Sequence, residues 1–276
     1  MRLSIVLESR INIKMTEVPE FDAVIPYHEK DVAILPYCIL GLRKNTRGLR
    51  DIYVISKEEP EDLEDATWVP ESAFPFTLED VKSIILSTNG RHGWYYQQLL
   101  KYYAPFVIQG LSPTFLVPDS DVVFLRPIEF FREGKVLVDY GGMYVPEYFD
   151  HMRRLLPTEF EYTMKESGTT DVMMYQTDLL QDLFARVEAK HGCPMWKALL
   201  QCVDPARYNK SGMSEQDIYF HFVLNVHPGR YELRLLQKFH GVHMRELHRT
   251  DADFLSFHAW FKDFYDRTVL EGEILE

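Results

Sequence analysis

Cysteine is scarce: the 276 residues hold only Cys38, Cys193 and Cys202, an odd number with no paired spacing. That excludes a disulfide framework, gives no zinc-ligand pattern, and fits a reducing compartment. Long apolar runs are missing as well. Met1 to Leu7 is too short for a signal-peptide core before Glu8 and Arg10 interrupt it, and no later run reaches the roughly 18 residues of a membrane span. The expectation is a cytoplasmic protein with no membrane span. Basic residues are outnumbered, 30 Lys plus Arg against 42 Asp plus Glu, so the surface is not built to release counterions from a nucleic-acid backbone and nucleic acid is not an expected partner. An acidic protein can still take an anionic nucleotide if a divalent cation stands between the two. The sequence also lacks internal repeats and low-complexity tracts.

What is present is core-forming material, 46% hydrophobic and 14% aromatic, enough for one large domain or two intimate halves. Phe21-Asp-Ala-Val-Ile-Pro reads as a buried strand, His28 to Asp31 as a loop, and Leu35, Ile39 and Leu42 carry a helical period. Asp51 to Ser56 reads as a second strand. Glu58 to Asp65 is an acidic solvated run, and Pro70 to Pro75 supplies breakers without the length of a linker. Thr77 and Asp80 make a capping-box start for a helix through Ile84 and Ile85. A further helix starts near Gly93 and is expected to end by Pro105, before a strand over Thr114-Phe-Leu-Val-Pro. Later strands are expected at Lys135 to Tyr140 and Val172 to Tyr175, with helices at Thr177 to Lys190 and from Ser214 through Phe222. Alternating strands and helices predict an α/β fold with a mainly parallel central sheet flanked by helices.

Asp119-Ser120-Asp121 falls at the carboxyl end of the Thr114 strand, where open α/β sheets bind their ligands. Two carboxylates one residue apart can direct oxygens to one hard cation and leave positions open for diphosphate oxygens and water. The plain alternative is a turn in which both acids accept backbone hydrogen bonds. The run from Phe115 to Leu125 also resembles the first motif of haloacid-dehalogenase-like phosphatases, with Asp119 as the nucleophile. That motif normally opens its domain, whereas here at least two strand-helix units precede it.

Taken with Arg91-His-Gly-Trp-Tyr-Tyr-Gln-Gln-Leu-Leu-Lys101 and Ser214-Glu-Gln-Asp-Ile-Tyr219, the arrangement resembles the GT-A-fold nucleotide-sugar glycosyltransferases over most of Phe21 to Trp260. More narrowly it resembles the glycosyltransferases, a xylosyltransferase among them, with which large chlorella viruses build capsid glycans; a viral source would make the compartment the host cytoplasm. The resemblance implies one GT-A-like domain over 1–276, with a nucleotide-sugar half at about 21–126 and an acceptor half at 127–276. It implies that Asp121 binds Mn2+ or Mg2+, that Asp119 contacts the ribose or the metal through water, and that Ser120 lies between them in the site. Val24 to Asp31, including Pro26, His28 and Asp31, would line the nucleoside pocket, and His258 would complete the metal shell. Without the resemblance His258 reads first as a core histidine held by backbone; with it the two readings stand level.

Arg91 and Lys101 are candidates for neutralising the diphosphate, and Gln97 or Gln98 for contacting base, ribose or sugar. The same residues suit an amphipathic helix packed through Trp94 and Leu100. The resemblance further implies an inverting base in Ser214 to Asp217, with Asp217 first and Glu215 second. The local account has Ser214 capping the helix and Asp217 closing a capping box. Tyr140, Tyr144, Asp171 and Trp260 are candidates for an acceptor pocket. The expected activity is transfer from a UDP-sugar, UDP-xylose first, to a glycan or glycoconjugate. The alternatives are the phosphohydrolase and a non-catalytic sugar-binding domain.

Overall fold

The structure is a computed structural model and describes residues 18–61, 63–161 and 164–258; the apolar start of the chain and Trp260 lie outside them. In chain order the strands and helices are β1 (Phe21–Pro26), α1 (Leu35–Asn45), β2 (Leu49–Ser56), β3 (Thr67–Pro70), α2 (Leu78–Ile84), α3 (His92–Val107), β4 (Thr114–Pro118) and β5 (Val122–Phe124). There follow β6 (Phe131–Arg132), β7 (Lys135–Asp139), α4 (Pro146–Leu155), β8 (Val172–Gln176), α5 (Thr177–His191) and α6 (Met195–Gln201). The last are α7 (Glu215–Val226), β9 (Tyr231–Arg234), β10 (Lys238–His240) and β11 (Phe254–Ser256).

The central sheet has the order β3-β2-β1-β4-β8. Its first three pairings are parallel and only β8 runs antiparallel, beside β4. Every residue of β1 is buried, as the near-continuous apolar run of an interior parallel strand requires. Its one acid, Asp22, is held by Arg50 at 2.9 and 2.7 Å and by the N–H groups of Asp51 and Ser112. After β1 the chain moves to β2 and β3 on one side, then returns to form β4 on the other. The carboxyl ends of β1 and β4 therefore flank the switch point where open sheets hold ligands.

Two smaller sheets were not anticipated. One has the order β10-β11-β5 and the other β6-β7-β9. The first ties Lys238–His240 and Phe254–Ser256 to the strand just after Asp121, and β8 joins the central sheet beside β4. One buried cluster accordingly runs from Phe21 to Phe254. The capping box at Thr77 and Asp80 is present. The helix expected to stop by Pro105 continues to Val107: a proline near the end of a 16-residue helix removes one N–H while the rest of the ladder stands, and Ile108 N–H closes the final turn on Ala104 at 2.9 Å. Among the described residues no helix is long and apolar enough to cross a membrane.

Candidate active site

Four hydrogen bonds pin the Asp119–Asp121 loop. The Val122 N–H donates to Asp119 O at 3.1 Å and closes a turn. The Asp119 N–H reaches Asp171 O at 2.9 Å, the Phe257 N–H reaches Asp121 O at 2.9 Å, and the Ser120 hydroxyl donates to Asp31 Oδ2 at 2.8 Å. The turn is thus made by backbone and Ser120 and does not need the two carboxylates, contrary to the plain reading of the motif.

Asp121 is 8% exposed, and its Oδ1 has no hydrogen-bond partner among the described residues. Its Oδ2 lies 3.9 Å from His258 Nδ1. Burial, followed by Asp119, Asp31 and Asp171, pushes its carboxyl well above the ordinary range. The His258 imidazole is driven down by burial, with His240 and Lys238 adding to that and Asp171 and Asp119 opposing it. A neutral ring, with a nitrogen lone pair to give, is what metal ligation requires. An orphaned buried carboxylate oxygen among like charges, next to such a ring, fits a divalent cation, which would reverse the penalty on ionising Asp121. β11 makes this meeting possible: Ser256 pairs with Val122, so the chain beyond β11 runs alongside Asp121.

Asp119 is turned elsewhere. Its Oδ1 accepts from Lys101 Nζ at 2.6 Å and from Gln97 Nε2 at 3.4 Å. Asp119, Asp121 and His258 do not form a ready triad, and no three His, Cys, Asp or Glu side chains among the described residues are arranged as a metal centre.

Lys101 also differs from expectation. It is 4% exposed and bridges Asp119 and Glu215, the latter at 2.8 Å. Burial alone would lower its pKa, yet Asp119 and Glu215 outweigh it and raise the ammonium above its usual value. A cation so enclosed holds its own carboxylates in this structure. Gln98 is buried and accepts from the Glu215 N–H at 2.9 Å, so it seats the first turn of α7 on α3. Arg91 stands at the other end of α3, bonded to Ser211 Oγ at 2.5 Å and stacked 4.5 Å over Trp94. Of the polar residues expected on this helix, Gln97 and Lys101 reach the Asp119 loop.

Across the crevice, Pro26 ends β1. His28 is exposed and its Nδ1 caps a short turn by accepting the Lys30 N–H at 3.2 Å. Asp31 is buried through its bond to Ser120.

The two acids of α7 are both engaged. Asp217 is fully buried; its carboxylate accepts from Ser167 Oγ at 2.9 and 3.0 Å, Gly168 N at 2.7 Å and Thr169 Oγ1 at 3.0 Å. Ser214 caps the helix by accepting the Asp217 N–H at 3.1 Å, but the Asp217 side chain faces the 167–169 loop and does not close a capping box. This enclosure disagrees with Asp217 as a base open to substrate. Glu215 is also buried, on Lys101.

Three features were not foreseen. Lys238 and His240 stand on β10, beside β11; the His240 ring is 4.8 Å from that of His258, and Lys238 Nζ is 3.5 Å from Asp171 Oδ2. Asp171, expected only among acceptor-pocket groups, adopts a left-handed backbone with φ of 67° and holds the Asp119 N–H. A Lys-Phe-His alternation is too short to mark a strand in sequence. Of the other acceptor candidates, Tyr144 is 46% exposed and stacks on Phe149 at 4.6 Å, and Tyr140 packs at the edge of the core.

Residues 48–271 match the family described as DUF6492, a family of unknown function, and the chain belongs to that family. No curated protein matches it. Among solved structures it is similar to mouse xyloside xylosyltransferase 1 in its apo form, at 13% identity and a TM-score of 0.41, with 88% of this chain and 99% of that one covered. It is also similar to a glycosyltransferase involved in glycosylation of the major capsid of PBCV-1, at 15% identity and a TM-score of 0.40, covering 87% and 94%. Likenesses this weak do not assign a function, which has to come from the geometry of the site.

Proposed function

We propose that this protein is a metal-dependent glycosyltransferase that moves a sugar from a UDP-sugar to a glycan or glycoconjugate, with UDP-xylose the first donor to try. The observation that supports it is the buried Asp121 carboxylate at the switch point of a mainly parallel sheet, with its Oδ1 lacking a hydrogen-bond partner among the described residues and its Oδ2 3.9 Å from His258 Nδ1. Asp121 and His258 would hold Mn2+ or Mg2+, and the ion would stabilise negative charge on the departing diphosphate. Lys101 keeps the Asp119 carboxylate turned from Asp121. The segment from Pro26 to Asp31 forms the opposite wall, joined to the loop through Ser120, where a nucleoside would lie. The phosphohydrolase reading requires Asp119 as nucleophile, and that carboxylate is already engaged by Lys101 and Gln97.

A panel of nucleotide sugars, assayed for released nucleotide with Mn2+, Mg2+ or chelator, tests the reading. Metal-dependent release from one UDP-sugar is expected. Phosphate release from simple phosphomonoesters with no response to nucleotide sugars would establish the rival class, and nucleotide-sugar binding without turnover would favour a sugar-binding domain.

The stereochemical course has its own variant. Inversion through Asp217 requires Asp217→Asn to abolish transfer; given its enclosure, we expect D217N to keep turnover within about threefold, an Asn amide being able to serve the same loop. Burial leads the causes that raise the Asp217 carboxyl to about 6, against the hydrogen bonds that lower it. The protonated form is therefore favoured by folding, and the stability it contributes is complete below about pH 4 and lost as pH rises through 6. A rise from 3.8 to about 6 corresponds to at most roughly 3 kcal/mol. Urea unfolding at pH 4, 6 and 8 should show a flatter profile for D217N. An unchanged profile with abolished transfer would restore the base.

A further inference from the structure

If the proposed donor binds, its diphosphate brings further negative charge to the Asp119–Asp121 loop, to which Asp31 and Asp171 are already bonded, so a basic side chain beside the proposed cation would help to hold it. Among the described residues four basic side chains come into question. Lys101 is buried between two carboxylates at 2.6 and 2.8 Å and cannot leave either without stranding it. Arg91 is fastened to Ser211 and Trp94. Lys30 lies 3.8 Å from Asp31, whose carboxylate Ser120 also holds at 2.8 Å.

Lys238 is different on each count. Its contact with Asp171, at 3.5 Å, is longer than a good charge-assisted hydrogen bond. The two side chains are 31% and 12% exposed, so water can replace either partner. Lys238 and His240 are two residues apart on β10, hence on one face of the strand. The His240 ring lies 4.8 Å from that of His258. β10 thus brings an amine and an imidazole to the cation side of the crevice.

Resting on the glycosyltransferase reading, we infer that Lys238 is the residue that receives the donor's diphosphate, and that it exchanges Asp171 for the phosphate oxygens when the donor binds. Asp171 is then a resting partner that competes with the nucleotide for Lys238. Its left-handed backbone is one that Asp and Asn tolerate better than other non-glycine residues, so Asp171→Asn keeps the backbone while removing the competing charge.

Calorimetric titration with UDP in the presence of Mn2+ tests the exchange in the full chain. K238M should weaken UDP binding about tenfold and K238R should restore most of it, whereas D171N should tighten binding about threefold. Simple loss of repulsion would also tighten binding, so the decisive variant is the double one: with Met at 238, D171N should give no tightening. Equal tightening in both backgrounds, or weaker binding in D171N, overturns the exchange. If the parent chain binds UDP and K238M binds it equally well, this inference falls alone. If the parent binds no UDP with Mn2+, the glycosyltransferase reading falls and takes it along.

Discussion

Asp121→Asn is expected to make the metal-free protein more heat-stable and to cut its turnover about 10^3-fold. Both effects come from one carboxylate. Asp121 is buried with an oxygen that no donor among the described residues satisfies, and burial with Asp119, Asp31 and Asp171 raises its pKa well above 3.8. The ionised form is thus opposed by folding: the associated stability is complete below about pH 3.8 and lost as pH climbs toward the raised value. An amide of the same shape carries no charge and escapes that loss at neutral pH. In the parent, a divalent cation should reverse it. At a hundredfold excess over its Kd, a ligand of the native state adds about 2.7 kcal/mol, or roughly 5–8 °C in Tm for a chain of this length. D121N should lose this Mn2+-dependent rise and about 10^3-fold of its donor turnover. His258→Ala should reduce the metal response in the same direction. Thermal scans with and without Mn2+, beside the nucleotide-release assay, read both effects. A D121N protein that still gains the full Mn2+ shift would remove Asp121 from the metal site.

This separation of stability from chemistry also marks how far the sequence could be read. β1, α1, β4 and the α2 cap were legible because each rests on a local signal: a continuous apolar run, a 3.6-residue period, or a Thr and an Asp three positions apart. Asp119 and Asp121 were legible because an apolar strand leads straight into them. β3 was not, since Thr67–Pro70 is four half-exposed or exposed residues ending in a proline. His258 could be named only through a resemblance, because its meeting with Asp121 depends on a β5–β11 pairing between segments more than 120 residues apart. Lys238 and His240 depend on the same small sheet and carried no local pattern. Lys101, Gln98 and Asp217 share one feature: they are polar and stand in suggestive motifs, and burial with partners from other elements, which no local pattern announces, engages each of them. Sequence shows that a charge exists; only tertiary contact shows whether it is already neutralised.

Lys101→Met probes such a neutralised charge and is expected to be the most destabilising single change at the site. The ammonium lies 2.6 Å from Asp119 and 2.8 Å from Glu215, with side-chain exposures of 5%, 27% and 6%. Methionine approximates the volume of the lysine stem but leaves two carboxylates facing each other. Removing one partner of a buried pair costs about 3–5 kcal/mol, because the remaining charge is stranded. The loss should be largest at pH 8 and smaller near pH 5, where the stranded acids can take up protons. The parent should show no such trend from this source: the raised Lys101 pKa means that its contribution is complete below 10.5 and lost only in stronger alkali. The arrangement also predicts strong non-additivity. Adding Glu215→Gln to K101M removes one of the stranded charges, so the double variant should be more stable than K101M alone, although E215Q by itself leaves the ammonium with a single carboxylate and should destabilise the parent. Chemical denaturation of the four proteins at the two pH values gives the coupling directly. A K101M loss below about 1 kcal/mol, or strict additivity with E215Q, would mean that water reaches the pair and that Lys101 is accessible to a ligand after all.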